Sequence, residues 1–409
     1  MKKCGLLGEK LGHSYSPLIH SMLGDYEYRL YEKSRGELAD FIQYGDWDAL
    51  NVTIPYKKAV LPCCAALSET ARRAGSVNTL VRGADGSVTG YNTDAFGFEM
   101  LLRHARIDPA GKKALVLGSG GASAAVCVVL RSMGAGSVSV ISRSGEDNYG
   151  GLGRHADAEL IVNATPVGMY PGNGARLISL SDFPECRAAV DLIYNPARSA
   201  FLMEAESLGI RAENGLYMLA AQAKRSAELF TGNIIDDTEI GRVVSRLRSK
   251  MLNVALIGMP GCGKSTLAAL LADRLGREAV DSDAEIERRA GMTVPEIFAR
   301  RGEEAFRRLE SEVLSELGRE SGRIISTGGG CVTREENYPS LHQNGVIVLL
   351  RRDTVKLPRD GRPLSLSVGP EELYARRAPL YERFADFAVS NDGAPEDAAA
   401  EITGRLGGM

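Results

Sequence analysis

The segment Gly258-Met-Pro-Gly-Cys-Gly263-Lys264-Ser265 follows the apolar run NVALI and opens a stretch of helical period. Successive backbone N–H groups from Gly261, Cys262, Gly263 and on to Thr266 can wrap phosphate. Lys264 can neutralise its outer oxygens, and Ser265 can ligate magnesium. The chemistry implied is phosphoryl transfer from MgATP. Downstream, AVDSDAEIERR carries Asp281 and Asp283. Period-2 alternation puts both on one face of a strand end, where one serves magnesium and the other orients or deprotonates an acceptor hydroxyl. In EEAFRRLESEVLSELG, Phe306, Leu309, Val313 and Leu317 form a helical stripe. Arg307 borders it and either faces a cleft or pairs with Glu303 at i, i+4. Gly328, Gly329 and Gly330 sit at a strand end, where backbone can approach a ligand closely.

A different chemistry is written earlier in the chain. Gly118-Ser119-Gly120-Gly121-Ala122-Ser123 also follows a strand and opens a helix. Gly118 permits the tight turn, Gly120 admits a pyrophosphate to the helix start, and Ser123 stands at the third position of the GxGxxG pattern. The next strand ends at Ser142-Arg143-Ser144. A guanidinium flanked by hydroxyls there suits a 2′-phosphate, which favours NADP over NAD. Before this unit, GHSYSPLIHSML predicts a helix with Pro17 at its first position and Ser16 as N-cap. Ser14 and Ser16 then offer a carboxylate site. In Asn51-Val-Thr53-Ile-Pro55-Tyr-Lys57, alternation puts Asn51 and Thr53 on one strand face, and Pro55 is expected to start a helix carrying Lys57 in its first turn. A lysine at a helix start is electrostatically disfavoured and invites a nearby carboxylate; Asp94 in GYNTDAFGF can supply it.

The elements that must hold these residues alternate short apolar runs with helical segments, so the chain is α/β with mostly parallel sheets. Its 409 residues suffice for two to four domains, and 44% apolar with 25% charged residues excludes a disordered or fibrous class. A basic helix ends near Lys250 and a strand begins within a few residues, with Met251 where a second protein could start. The net charge of −3 divides into +1 before Met251 and −4 from it onward, which argues against nucleic acid. No apolar run is long enough for a membrane span, and the amino terminus turns polar too soon for a secretory signal. Seven scattered cysteines with no CxxC pair fit reduced thiols in a cytoplasmic protein. The five histidines lie singly and form no zinc pattern.

The motifs SYSP, NVTIPYKK, SVNT (76–79), YNTD (91–94), GSGGAS, NATPVGM (163–169) and GLYMLAAQA (215–223) together resemble shikimate dehydrogenase, over residues 1 to about 248. The resemblance implies NADPH-dependent reduction of 3-dehydroshikimate. It places Ser14 and Ser16 on the substrate carboxylate and Thr53, Asn78, Asp94, Tyr194 and Gln222 on the ring oxygens. Lys57 and Asp94 become the catalytic pair. Coenzyme contacts fall to Gly118 through Ala122, Ser142, Arg143, Leu192 and Gly215. GMPGCGKST, DSD, FRRLE, TGGG, GRPL (361–364) and RRAPLY (376–381) resemble shikimate kinase, over about 252 to 395. This second resemblance implies Asp281 near Mg2+, Asp283 as base, Arg307 and Arg377 on the shikimate carboxylate, Gly328–Gly330 lining its pocket, and Arg362 on the ATP phosphates from a lid.

The expected architecture is therefore a substrate-binding domain at 1–95, completed by a helical segment at about 216–248, a Rossmann-type NADP domain at 96–215, and a P-loop kinase domain with a parallel sheet at 251–409. The expected partners are the small molecules 3-dehydroshikimate and shikimate, and an oligomer is compatible with the sequence. Two departures stand out: GEDNYGGLGRHADAE leaves no room for a full helix and strand on the adenine side, and the segment KLPRDGRP is a short lid. Three other readings remain open. The second half is a kinase for another small anionic acceptor, or an ATP-binding regulatory module, or the first half uses NAD on quinate or shikimate.

Overall fold

The computed structural model of the chain describes residues 1–12, 14–143, 145, 147–357 and 369–407. It divides into two compact units, Met1–Tyr194 with Ser199–Val244, and Asn195–Arg198 with Ser245–Met409.

The first unit holds two sheets. One combines β1 (Lys3–Gly8), β2 (Glu27–Glu32), β3 (Ala49–Val52), β4 (Ala66–Leu67), β5 (Thr79–Arg82) and β6 (Val88–Tyr91), in the order β2-β1-β3-β5-β6-β4. β1 pairs parallel with β2 and β3, while β5 runs antiparallel to β3 and β6. Helices α1 (Ser16–Leu23), α2 (Leu38–Tyr44) and α3 (Glu69–Ala74) accompany it. The chain then passes through α4 (Thr93–His104) into an all-parallel sheet of β7 (Lys113–Leu117), β8 (Ser137–Ile141), β9 (Leu160–Asn163), β10 (Ala188–Asp191) and β11 (Arg211–Glu213). α5 (Gly121–Ser132) and α6 (Ala200–Ser207) belong to this second sheet, and α7 (Leu216–Thr231) returns to pack along α4. Every residue of β9 and β10 is buried, as a strand covered on both faces requires.

The order of that parallel sheet is β11-β10-β9-β7-β8. Set beside the 3-2-1-4-5-6 order of a dinucleotide-binding sheet, it is 2-1-4-5-6, with no strand at position 3 among the described residues. A 3-10 turn at Tyr149–His155 takes the place of the missing helix and strand and leads into β9. The short segment noted in the sequence thus makes β8 an edge.

α8 (Thr238–Met251) runs across the unit boundary at residues 244–245, and β12 (Asn253–Ile257), the first strand of the second unit, begins two residues after its end. Its sheet adds β13 (Ala279–Asp281), β14 (Ile324–Ser326), β15 (Gly345–Arg351) and β16 (Phe387–Ser390), all parallel, in the order β13-β14-β12-β15-β16. The helices are α9 (Lys264–Leu275), α10 (Ser282–Ala290), α11 (Val294–Arg319), α12 (Asn337–His342), α13 (Pro370–Phe384) and α14 (Pro395–Gly407). α11 starts in a Thr293–Glu296 capping box and breaks at Gly302, whose φ is 80°. All five residues of β12 are buried, and the loop leaving its carboxyl end is the glycine-rich segment 258–265.

Among the described residues no helix is long and apolar enough to cross a membrane, and no group of three or more His, Cys, Asp or Glu could hold a metal ion.

Candidate active sites

In the first unit, Lys57 Nζ donates to Asp94 Oδ2 at 2.6 Å, and Asn78 Nδ2 donates to Asp94 Oδ1 at 2.9 Å. Both members of the ion pair are mostly buried. Asp94 sits in the first turn of α4 behind the N-cap Asn92, whose side chain accepts from Ala95 N–H. The helix dipole therefore favours its negative charge. Lys57 is not at a helix start, contrary to the sequence expectation. The chain makes turns after β3, and the Lys57 carbonyl is committed to Val77 N–H at 2.8 Å. That carbonyl is consequently not free to propagate a helix. The charged helix terminus belongs to the carboxylate, and the lysine comes to it.

A polar network underlies this pair. Tyr28 Oη donates to Asn51 Oδ1 at 2.8 Å. Asn51 Nδ2 reaches Ser226 Oγ at 2.8 Å, and Ser226 lies 3.0 Å from both Thr79 and Thr93 hydroxyls. Thr93 bonds Asn78 and, at 3.4 Å, the side-chain oxygen of Gln222. Asn51, Asn78, Asp94 and Gln222 are thus tied together around one region. Tyr28, Thr79, Thr93 and Ser226 were not singled out from the sequence. They lie on separate elements, and only the hydroxyls of Thr79 and Thr93, flanking named motif residues, gave any signal. Thr53 follows β3 with its N–H on the Leu7 carbonyl. Tyr194 packs edge-on to Tyr15 at 6.4 Å between ring centres, and burial raises its phenol pKa.

Ser16 is the first residue of α1 rather than its N-cap, which is Tyr15 and makes no side-chain cap. Ser14 Oγ instead accepts from Ser16 N–H at 3.2 Å. Both hydroxyls remain at the helix start.

Lys57 also lies against the dinucleotide loop: a Cβ on Gly121 would stand 3.4 Å from the lysine side chain. Gly118 has φ 104°, and a side chain there would meet Thr165 at 2.8 Å. Gly120 is the N-cap of α5, and space opens where its Cβ would be, as an approaching pyrophosphate requires. Ser123 turns back to donate to the Gly118 carbonyl at 2.6 Å, so the imperfect third position braces the loop. Ser119 completes this turn, and Ala122 is the second residue of α5. Ser142 is buried and Arg143 exposed at the end of β8, with Arg143 close enough to Tyr149 to lower its phenol pKa, which burial raises. Gly215, the N-cap of α7, donates to the Ile193 carbonyl at 3.0 Å and abuts Leu192.

In the second unit, Pro260, Gly261, Gly263, Lys264, Ser265, Thr266, Asp281, Asp283, Arg307, Gly328, Gly329, Gly330 and Arg377 line one cavity of about 750 Å3. Lys264 Nζ donates to the Gly258 and Met259 carbonyls at 2.9 and 3.0 Å, and Cys262 is buried within the loop. Ser265 and Ser326 hydroxyls donate to Asp281 Oδ2 at 2.7 and 3.0 Å. These hard oxygen donors suit magnesium. Asp281 and Asp283 do not share a strand face. Asp281 ends β13 as the N-cap of α10, accepting from Asp283 and Ala284 N–H, so the chain turns into helix between the two. Asp283 stands in the first turn, and its Oδ1 is buried without a partner. Burial, then the Asp281 charge, raises its pKa.

Arg307 meets both readings open to it. It is buried, lines the cavity, and pairs with Glu310 at 2.7 Å and Glu303 at 3.3 Å. Glu310 was missed in the sequence. It is fully buried, its Oε1 is unpartnered, and burial pushes its pKa up to about 7. A Cβ on Gly328 would meet Asp283 Oδ1 and Glu310 Oε1, each at 2.7 Å; one on Gly329 would meet Pro260 at 2.6 Å; one on Gly330 would overlap the Arg307 guanidinium. The three glycines make room for these side chains. Arg377 and Tyr381 both donate to the Gly329 carbonyl, at 3.0 and 2.5 Å. Arg362 lies outside the described residues.

Residues 6–80 match the shikimate dehydrogenase substrate binding domain, and residues 260–406 match the shikimate kinase family model. A shikimate dehydrogenase (NADP(+)) of Clostridium perfringens is 31% identical over 271 residues, which span all of that protein and 61% of this chain. The chain belongs to the shikimate dehydrogenase family. Behind its dehydrogenase portion it carries a shikimate kinase domain. The dehydrogenase of Oleidesulfovibrio alaskensis is 39% identical over 251 residues, 56% of this chain and 89% of that protein. Among solved structures, a chorismate mutase/shikimate 5-dehydrogenase fusion from Clostridium acetobutylicum aligns with a TM-score of 0.57 and 36% identity, over 60% of this chain and 97% of that one. The Thermus thermophilus shikimate 5-dehydrogenase in complex with NADP(H) and shikimate gives 0.54 and 32%, over 60% and 99%. The chain is an α/β protein combining both enzyme folds, an oxidoreductase joined to a kinase.

Proposed function

We propose that this one chain carries out two consecutive reactions, the NADPH-dependent reduction of 3-dehydroshikimate to shikimate and the MgATP-dependent phosphorylation of shikimate at its 3-hydroxyl. The observation that carries this reading is the presence, in one polypeptide, of domains from two families whose reactions share shikimate.

In the first unit NADPH, when bound, supplies the hydride. The Gly118–Ala122 turn and the start of α5 hold its pyrophosphate, and Arg143 meets the 2′-phosphate. Lys57, as ammonium, donates a proton to the ketone oxygen as charge develops there. Asp94 orients that ammonium, held in turn by Asn78, and helps return a proton to it. Ser14 and Ser16 take the substrate carboxylate, and Thr53, Tyr194 and Gln222 its ring side.

In the second unit ATP, when bound, supplies the phosphoryl group, with Mg2+ held by Ser265 and Asp281. Lys264 and the loop N–H groups neutralise phosphate charge. Asp283 accepts the proton of the 3-hydroxyl. Arg307 and Arg377 grip the carboxylate through planar forks, a geometry that lysine lacks.

The test supplies 3-dehydroshikimate, NADPH, ATP and magnesium to the purified full chain. NADPH loss followed by ADP release is expected, and Lys264→Ala should abolish only the ADP signal. ADP release without any dependence on shikimate sinks the kinase reading; no NADPH loss sinks the dehydrogenase reading.

A further inference from the structure

Arg352 is the first residue past β15, the strand beside β12 on the side away from β14. It lines the cavity that holds Lys264, Ser265 and Asp281. A Cβ on Gly263 would stand 3.8 Å from a terminal nitrogen of its guanidinium. The cation is therefore beside the loop residue that immediately precedes Lys264.

Its hydrogen bonding is incomplete in a telling way. Arg352 Nε is buried and has no hydrogen-bond partner among the described residues. The neighbouring Arg351 pairs with Glu382 at 2.6 Å and Lys356 reaches Asp392 at 3.6 Å, whereas among the described residues no carboxylate pairs with Arg352. A buried donor left unmet costs about 1–3 kcal/mol. The surroundings make matters worse, because the loop N–H groups, the start of α9 and Lys264 are all positive. An anion arriving at the loop resolves both problems. The position of Arg352 against Gly263, whose N–H belongs to the phosphate-wrapping run, selects the phosphates over the base.

We propose that Arg352 is a nucleotide-binding residue of the kinase unit, its guanidinium taking oxygens of the α- and β-phosphates cradled by Gly261–Thr266. This deepens the kinase reading above and rests on it. Because Arg352 stands at the end of a buried strand, the contact is preorganised and needs no lid. It should therefore serve ADP as well as ATP, with or without shikimate.

Binding of ADP and of inorganic tripolyphosphate to the full-length chain tests this by titration calorimetry with wild type, Arg352→Ala and Arg352→Lys. Loss of one charge-assisted fork contact should weaken both ligands roughly tenfold in Arg352→Ala, with partial recovery in Arg352→Lys. The KM for ATP should rise while the KM for shikimate holds, and the unchanged KM for shikimate verifies that the kinase unit is folded. Equal affinities in wild type and Arg352→Ala overturn the proposal. So does a loss seen with ADP but not with tripolyphosphate, which would assign Arg352 to the base. A wild-type chain that binds neither ligand refutes the phosphate-loop reading itself and is recognised as such. Should Arg352→Ala fail to fold, the comparison of wild type with Arg352→Lys decides by the same criteria.

Discussion

Lys57 Nζ and Asp94 Oδ2 lie 2.6 Å apart although 37 positions separate them in sequence. One comes from a turn after β3, the other from the first turn of α4. Asn78, the residue before β5, donates to the second carboxylate oxygen. The backbone of Gly121 in the dinucleotide loop comes against the lysine side chain. The proposed proton donor and the proposed nucleotide cradle are thereby neighbours, as the proposed reduction needs.

Lys57→Ala should lower the rate of NADPH oxidation with 3-dehydroshikimate by about 10²–10⁴-fold, the scale of a lost general acid. ADP release from added shikimate should continue at the wild-type rate. Spectrophotometric assay of the two signals on one preparation checks both. Retention of dehydrogenase turnover would demote the pair to a structural salt bridge.

Gly328→Ala addresses the kinase unit. The added methyl would stand 2.7 Å from both Asp283 Oδ1 and Glu310 Oε1. Overpacking of this kind costs about 1–3 kcal/mol. Displacement of Asp283 should raise the KM for shikimate and lower kcat, leaving the KM for ATP closer to wild type. Kinetics indistinguishable from wild type would mean that the two carboxylates yield freely.

Arg143→Ala concerns coenzyme choice. With β8 at a sheet edge, the guanidinium at its end is exposed, and one charge-assisted contact to a 2′-phosphate is worth roughly tenfold. The ratio of kcat/KM for NADPH to that for NADH should fall by about that factor, through NADPH alone. An unchanged ratio would assign the preference elsewhere.

Asp191 offers a pH test. It is fully buried at the end of β10, and burial pushes its pKa from 3.8 up to about 6, against the opposing bonds from Ser199, Ile193 N–H and Asn163. Between pH 4 and 6 the folded chain therefore holds a proton that the unfolded chain has released. Stability falls as pH rises through that window and is flat above it, by about 3 kcal/mol in all. Asp191→Asn should flatten the slope in urea midpoints of the dehydrogenase unit measured from pH 4 to 7. Parallel curves for the two proteins would show that Asp191 does not titrate there.

Much was legible because it is local. The two glycine-rich loops are contiguous backbone at strand–helix junctions, so their place in the fold followed from spacing alone. The α/β class followed from apolar runs alternating with helical periods, and the abbreviated adenine side from a count of residues before β9. Arg307 shows the limit. A helix period could say only that it borders an apolar stripe, and in the fold it both pairs with Glu303 and faces the cavity.

The residue types and spacings of the sequence determined which chemistries this chain carries, because a loop that wraps phosphate needs only its own neighbours. The tertiary structure decided the company those residues keep. The polar network from Tyr28 through Asn51, Ser226 and Thr93 to Asn78 is assembled across separations of up to 175 positions. The crowding of Asp283 and Glu310 about Gly328, and the buried Arg352 Nε that finds no partner among the described residues, likewise arise only when distant strands and helices pack. No periodicity encodes such meetings, since burial and partnership are properties of the packed chain rather than of its local pattern.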